Sequence, residues 1–109
     1  MKNYAYIDSS GNKYWYKDNY LQRDNGPAME YANGDKLWYQ KGLYHRLDGP
    51  AVLDVDGSFV WYKEGKLHRL DGPAIKYKNN DEEWWFNDEQ IKCNSQEEFL
   101  RLIKLKAFW

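Results

Sequence analysis

Four tryptophans stand at one fixed interval: Trp15, Trp38, Trp61 and Trp84 are each 23 residues apart. The same interval of 23 separates Gly26, Gly49 and Gly72, each followed by Pro and Ala, and separates Arg23, Arg46 and Arg69. The phrase HRLDGPA occurs at residues 45–51 and 68–74, with a blurred copy, QRDNGPA, at 22–28. A fixed period of this length, kept without insertions, marks stacked supersecondary units, none of which buries its apolar face alone. The phrase therefore answers first to the repeat.

The unit reads as a β meander. A turn-forming dipeptide precedes each Trp by a few residues: Ser10-Gly11, Asn33-Gly34, Asp56-Gly57 and Asn79-Asn80. Such pairs tolerate the positive φ that two-residue hairpin turns demand. A two-residue turn sets Val55 opposite Ser58, Leu53 opposite Val60, Val52 opposite Trp61, Met29 opposite Trp38, Ile75 opposite Trp84 and Tyr6 opposite Trp15. It also sets Lys76 opposite Glu83, and cross-strand pairs of this kind stabilise sheets. A second turn follows each aromatic pair, at Asp18-Asn19, Lys41-Gly42, Glu64-Gly65 and Asn87-Asp88. The chain then returns through Leu21, Tyr44 and Leu67, and the Gly-Pro step breaks the ladder because Pro has no N–H. The phrase is thus the corner between repeats.

After the last hairpin the period fails. Ser95 stands three residues before Glu98, acids occupy the next turn and lysines the last, and Phe99, Leu102, Ile103 and Lys106 fall on one face. The expected architecture is a mostly β single domain over residues 1–109. It consists of antiparallel hairpin repeats over 4–92 in a single meandering sheet, capped by one C-terminal α-helix over 95–107.

Charge and cysteine usage narrow the function classes. Sixteen Lys and Arg against 17 acids give a net charge of −1, so the electrostatic footprint of a nucleic-acid binder is missing and no DNA partner is expected. The one cysteine, Cys93, excludes an internal disulfide and leaves a Cys-based metal site short of ligands. No segment has the apolar length of a signal peptide or membrane span, so the expected setting is cytoplasmic, without membrane contact.

Catalytic chemistry finds no foothold. The serines, Ser9, Ser10, Ser58 and Ser95, all fall at turns or a cap, and threonine is absent, so no nucleophilic triad can be drawn. Asp54, Asp56, Glu82 and Glu83 read as an acidic surface, and every Gly belongs to a turn position of the period. His45 and His68 occupy equivalent places, but two imidazoles without further ligands make a poor metal site. The chain is expected to be no enzyme and to need no cofactor or metal.

Binding is the remaining class. Strand alternation sets Tyr39, Tyr62 and Trp85 opposite the Trp file, and rows of exposed aromatics anchor protein interfaces. Arg46 and Arg69, with Arg23, align along one edge and could grip carboxylates or phosphates, or close their own corners on Asp24, Asp48 and Asp71. Phe99 and Ile103 on the tail helix are further candidates for partner contact, if the helix does more than cap.

The sequence from Trp38-Tyr39 through Lys41-Gly42-Leu43-Tyr44-His45-Arg46, Asp48-Gly49-Pro50-Ala51 and Asp56-Gly57 resembles the MORN-variant repeat of small bacterial, phage and giant-virus proteins. It departs from the standard MORN motif, which has His-Gly-x-Gly where this chain has His-Arg-Leu-Asp-Gly-Pro. The resemblance implies a repetitive sheet used as a scaffold for contact with another protein, and by extension a phage- or mobile-element-encoded inhibitor of a host or defence protein. Two other classes remain open: a sponge-like binder of small molecules or nucleotides using the Arg column and aromatics, and a structural scaffold or homo-oligomer whose edge strands pair between copies.

Overall fold

The structure, a computed structural model, describes residues 3–106. The first repeat holds β1 (Asn3–Ile7), β2 (Lys13–Lys17) and β3 (Tyr20–Leu21). The second holds β4 (Met29–Glu30), β5 (Lys36–Leu37), β6 (Tyr39–Gln40) and β7 (Leu43–Tyr44). The third holds β8 (Val52–Leu53), β9 (Phe59–Val60), β10 (Tyr62–Lys63) and β11 (Lys66–Leu67). The last holds β12 (Ile75–Lys76), β13 (Glu82–Phe86) and β14 (Glu89–Ile91), followed by the helix α1 (Gln96–Lys106).

The main sheet runs in the order β1-β2-β4-β5-β8-β9-β12-β13-β14, with β3 beside β2, while β6-β7 and β10-β11 form short ribbons. Every pairing is antiparallel, as the meander requires. The molecule is a slab of 47 × 33 × 17 Å. Among the described residues no helix is long and apolar enough to cross a membrane.

The first turn of each repeat corrects the expected register. Val52 faces Val60 and Leu53 faces Phe59, Met29 faces Leu37, and Ile75 faces Glu83 with Lys76 opposite Glu82. Tyr6 faces Tyr14. Each pairing is one residue short of the expectation because the loop holds three residues rather than two. Gly57 N–H donates to the Asp54 carbonyl and Asp54 N–H to the Ser58 carbonyl, both at 3.0 Å. Gly57 sits at φ 91°, so the loop is a type I turn closed by a left-handed bulge residue. The same bonds recur at Asp8/Asn12, Tyr31/Asp35 and Tyr77/Asp81, with Asn80 in the left-handed role at φ 74°.

The second turns are as expected. Lys41 and Gly42 have φ of 51° and 78°, and Glu64 and Gly65 have 51° and 79°. Two successive positive φ values give the type I′ geometry whose twist suits a tight hairpin.

A slip of one residue redirects every side chain and backbone group along a strand. Trp38 consequently pairs not across its own hairpin but forward into the next corner. Its N–H donates to the Ala51 carbonyl at 2.7 Å, and its carbonyl accepts from His45 N–H at 3.1 Å. Trp15 bonds Ala28 and Gln22 in the same way, and Trp61 bonds Ala74 and His68. Ala28, Ala51 and Ala74 are fully buried at these nodes. Each Trp is the fork where the chain leaves the main sheet for the small second hairpin.

The phrase closes the corner over that fork. The guanidinium carbons of Arg23, Arg46 and Arg69 lie 3.9, 3.9 and 4.1 Å from the ring centres of Trp15, Trp38 and Trp61. Each Arg Nη1 also donates to the carbonyl of the Pro four residues on, at 3.3, 3.1 and 3.1 Å. The opposite side of the guanidinium lies against the glycine. A Cβ at Gly49 would fall 2.5 Å from Arg46 Cζ, at Gly72 2.7 Å from Arg69 Cζ, and at Gly26 3.3 Å from Arg23 Cζ. These glycines are needed for close approach.

The fourth Trp ends the row. Lys92, Ser95 and Gln96 stand where the period would place Arg, Gly and Pro, so Trp84 has no corner of its own. The helix takes over: Phe99 is fully buried and packs with Trp84 and Ile91, with Phe86, Cys93, Leu102 and Ile103 around them. Gln96 accepts from Trp84 Nε1 at 2.8 Å and donates to the Leu70 carbonyl at 2.7 Å, tying helix to sheet. Ser95 caps the helix by accepting from Glu98 N–H at 3.1 Å, while Glu98 reaches back to Asn94 N–H at 3.1 Å. Lys106 pairs with Glu89 at the far end. The expected end of the helix at Ala107 lies outside the described residues.

Glycine-to-alanine replacement at the corners should follow the approach distances. Gly49→Ala and Gly72→Ala must push the guanidinium off its Trp, losing a cation–π contact and a hydrogen bond, about 1–2 kcal/mol each. Gly26→Ala should cost less than half of that. Urea unfolding of the three variants measures the order, and equal losses would contradict the stacked-corner account.

Candidate functional site

The repeated corners generate a repeated groove. The second corner's groove, about 790 Å³, is lined by Trp38, Gln40, His45, Arg46 and Leu47, with Arg23 and Asp24 of the preceding corner as its other wall. The third, about 250 Å³, has Trp61, Lys63, His68, Arg69 and Leu70 against Arg46 and Leu47. The first, about 440 Å³, has Trp15, Lys17, Gln22 and Arg23 against Asn3, Tyr4 and Ala5. Equivalent residues recur in each, so the grooves form a row along one edge of the slab.

Leu47 and Leu70 are the outstanding features of this row. They are 71% and 49% exposed although they sit next to the most tightly packed residues of the corner. Arg46 and Arg69, next to them in the chain, occupy the space over the Trp rings. Beside them Arg46 Nε pairs with Asp48 at 3.2 Å and Arg69 Nε with Asp71 at 2.8 Å. The Arg69 hydrogen bond holds the Asp71 carboxyl below the usual aspartate value. The first corner differs: Asp24 pairs with Lys17 at 3.6 Å and Arg23 approaches Glu30 at 3.7 Å.

Arg46 and Arg69 thus line the grooves with their Nε and Nη1 donors already engaged. A bidentate anion would either displace the carboxylate at Nε or share Nη1 with the proline carbonyl.

The other aromatic file stands apart from the grooves. Tyr39 stacks on Tyr44 at 4.6 Å and Tyr44 on Tyr62 at 4.9 Å, so Tyr44 joins two repeats. All three rings are half-buried. Burial and the neighbouring Tyr44 push the Tyr39 hydroxyl well above the usual tyrosine value, and burial raises Tyr62 as well. Trp85 is half-buried and donates to Glu83 at 3.0 Å. The Tyr62 and Trp85 carbonyls accept from Arg46 and Arg69 N–H, at 3.2 and 3.3 Å, which fixes each corner to the next repeat. Phe99 is fully buried, with no outward surface, and Ile103 packs beside it.

The two histidines join successive repeats. His45 Nδ1 accepts from Glu64 N–H at 2.9 Å, and His68 Nδ1 from Asn87 N–H at 3.0 Å. Gln22 Oε1 does the same for Lys41 N–H at 3.0 Å, which explains how glutamine stands in for histidine in the blurred copy. At each ring Nδ1 is the accepting nitrogen, which leaves Nε2 as the donor. Among the described residues no group of three or more His, Cys, Asp or Glu side chains could hold a metal ion.

The sequence reading brought forward Arg46 and Arg69 but passed over Leu47 and Leu70. Their signal was present: a leucine repeated inside a turn phrase, where turn chemistry asks for polar residues, has no strand face to serve. Tyr44 was likewise legible, since the Lys41-Gly42 turn sets it opposite Tyr39. Comparison with protein-family models, with curated proteins and with solved structures finds no match to this chain.

The His68 bond carries a pH dependence. Burial, with Lys63 nearby, lowers His68 below its ordinary value of 6.5. A lowered folded-state value means that the stabilisation is present above 6.5 and is lost as pH falls through the folded value. The lowered carboxylates Asp8, Asp56 and Asp71 act only below their ordinary 3.8, a separate window. The melting temperature should therefore fall between about pH 7 and pH 5. His68→Gln, which keeps an acceptor in place as Gln22 does, should flatten that slope; an unchanged slope would remove His68 from the account.

Proposed function

We propose that the protein is a non-catalytic module that binds another protein through its row of corner grooves. The observation that carries this is the repeated exposure of Leu47 and Leu70 beside engaged Arg–Asp pairs along one edge. Isolated apolar residues on a surface need no explanation, but apolar residues repeated at the structural period, each beside an aromatic ring and rimmed by charge, have the make-up of interface hot spots. An extended segment of a partner laid along the row would set apolar side chains against Leu47 and Leu70 and polar groups against the Asp48 and Asp71 carboxylates.

The resemblance to MORN-variant repeats supports a scaffold of this kind, and an inhibitor that works by occupying a partner's surface is its extension. Binding of a nucleotide or other small anion is the second reading. It is favoured by the volume of the groove at Arg46, about 790 Å³, and disfavoured by the acceptors already held at Nε and Nη1.

Native mass spectrometry of the tagged chain recovered gently from its host separates the two. A stoichiometric protein adduct is the expected result, lost in Leu47→Asp/Leu70→Asp, which should weaken binding at least about tenfold while moving the melting temperature little. An adduct of a few hundred daltons that survives this double variant and disappears in Arg46→Ala would replace the protein reading with the small-molecule one.

A further inference from the structure

The two ends of the sheet are unequal. At the β13-β14 end the helix packs Phe99 against Trp84 and Ile91. At the other end, among the described residues, no strand pairs with the outer edge of β1. All five residues of β1 are exposed, with Tyr4, Tyr6 and Ile7 at 48%, 55% and 61%.

The backbone on that edge is set for pairing. Trp15, the partner of Ala5, turns its N–H away from β1 toward the Ala28 carbonyl, at 2.8 Å. Antiparallel ladders alternate, so Ala5 and its alternate neighbours Asn3 and Ile7 direct their N–H and carbonyl groups away from β2, outward. Natural edge strands are blunted by charges, prolines or bulges. The stretch Asn3-Tyr4-Ala5-Tyr6-Ile7 has no charged residue or proline, and its five pairs with β2 run without a bulge.

We propose that this edge is a homodimer interface, in which β1 of one copy pairs antiparallel with β1 of a second copy about a two-fold axis at Ala5. The opposite end carries the helix and its Lys106–Glu89 pair rather than a matching uncharged strand, so the edge is matched to its own like. The strand is self-complementary in this arrangement. Ala5 faces Ala5 of the other copy and Asn3 faces Ile7, both as hydrogen-bonded pairs. Tyr4 faces Tyr6 as a non-hydrogen-bonded pair, where side chains approach most closely. Tyr4 already stacks on Tyr16 at 5.0 Å and Tyr6 lies against Tyr14 at 5.9 Å. Pairing therefore joins the tyrosine clusters of the two copies into one file and continues the main sheet across the axis. The dimer would present two rows of grooves, but it does not depend on what those grooves bind.

Sedimentation velocity of the purified full-length chain, over about 1–100 µM, tests this without any other protein. The expected result is a concentration-dependent dimer. Tyr4→Lys/Tyr6→Lys sets like charges opposite each other across the axis and should weaken it at least about tenfold. Mixing that variant with Tyr4→Glu/Tyr6→Glu should restore a dimer containing one chain of each. Should the lysine variant fail to fold, Ala5→Pro gives a second measurement, because it deletes an outward N–H that β2 does not use. A wild-type chain that stays monomeric at about 100 µM, or a dimer that the folded variants leave undiminished, overturns the proposal.

Discussion

The stack of glycine, guanidinium and indole at each corner is the constraint on which the rest of the structure depends. A slab 17 Å thick has little interior, and among the described residues its buried apolar side chains are few, with only alanines at the corner nodes. The corner substitutes for a deep core by pressing a planar cation between a ring and a backbone. It engages two edges of that cation in hydrogen bonds, so a charged group is half-buried without being left unsatisfied. Because the same Trp forks the backbone ladder, holding its ring holds the branch point between the main sheet and the small hairpin.

The two kinds of turn divide the labour. The three-residue turns set the main sheet's register and turn each Trp forward, so that one repeat is completed by the next. The type I′ turns build the outer hairpins, whose tips lock to the preceding repeat through Gln22, His45 and His68. Every repeat is thus satisfied only by its neighbours, as expected for a quasi-one-dimensional array. Its ends are the exceptions. At one end a helix covers the Trp that has no arginine; at the other a five-residue strand keeps an open edge.

This division also separates surfaces. Tyr44 stacks on Tyr39 across its own hairpin and on Tyr62 of the next repeat, so this file ties neighbouring repeats together. The groove row is where packing demands end and exposed leucines begin, which is why the proposed binding function is placed there. Tyr39, Tyr62 and Trp85 read in sequence as interface anchors because alternation tells which way a side chain points. Alternation does not tell whether the next repeat will cover it.

The period, the corner phrase, the second turns, the meander and the capping helix were all decided by local chemistry. Turn residues, the missing N–H of proline and the cap at Ser95 act over a few residues, so they are visible in the chain itself. The register of the long hairpins was not, because Asp56-Gly57 serves a two-residue turn as well as the last two positions of a three-residue one. That single residue moved Trp38 from a partner across its hairpin to a partner in the next corner. The contacts of Arg46, Gly49, His45 and Phe99 were likewise decided only by the tertiary structure. Each depends on which group lies against it from a segment distant in the chain, and that distance is fixed by packing rather than by residue type.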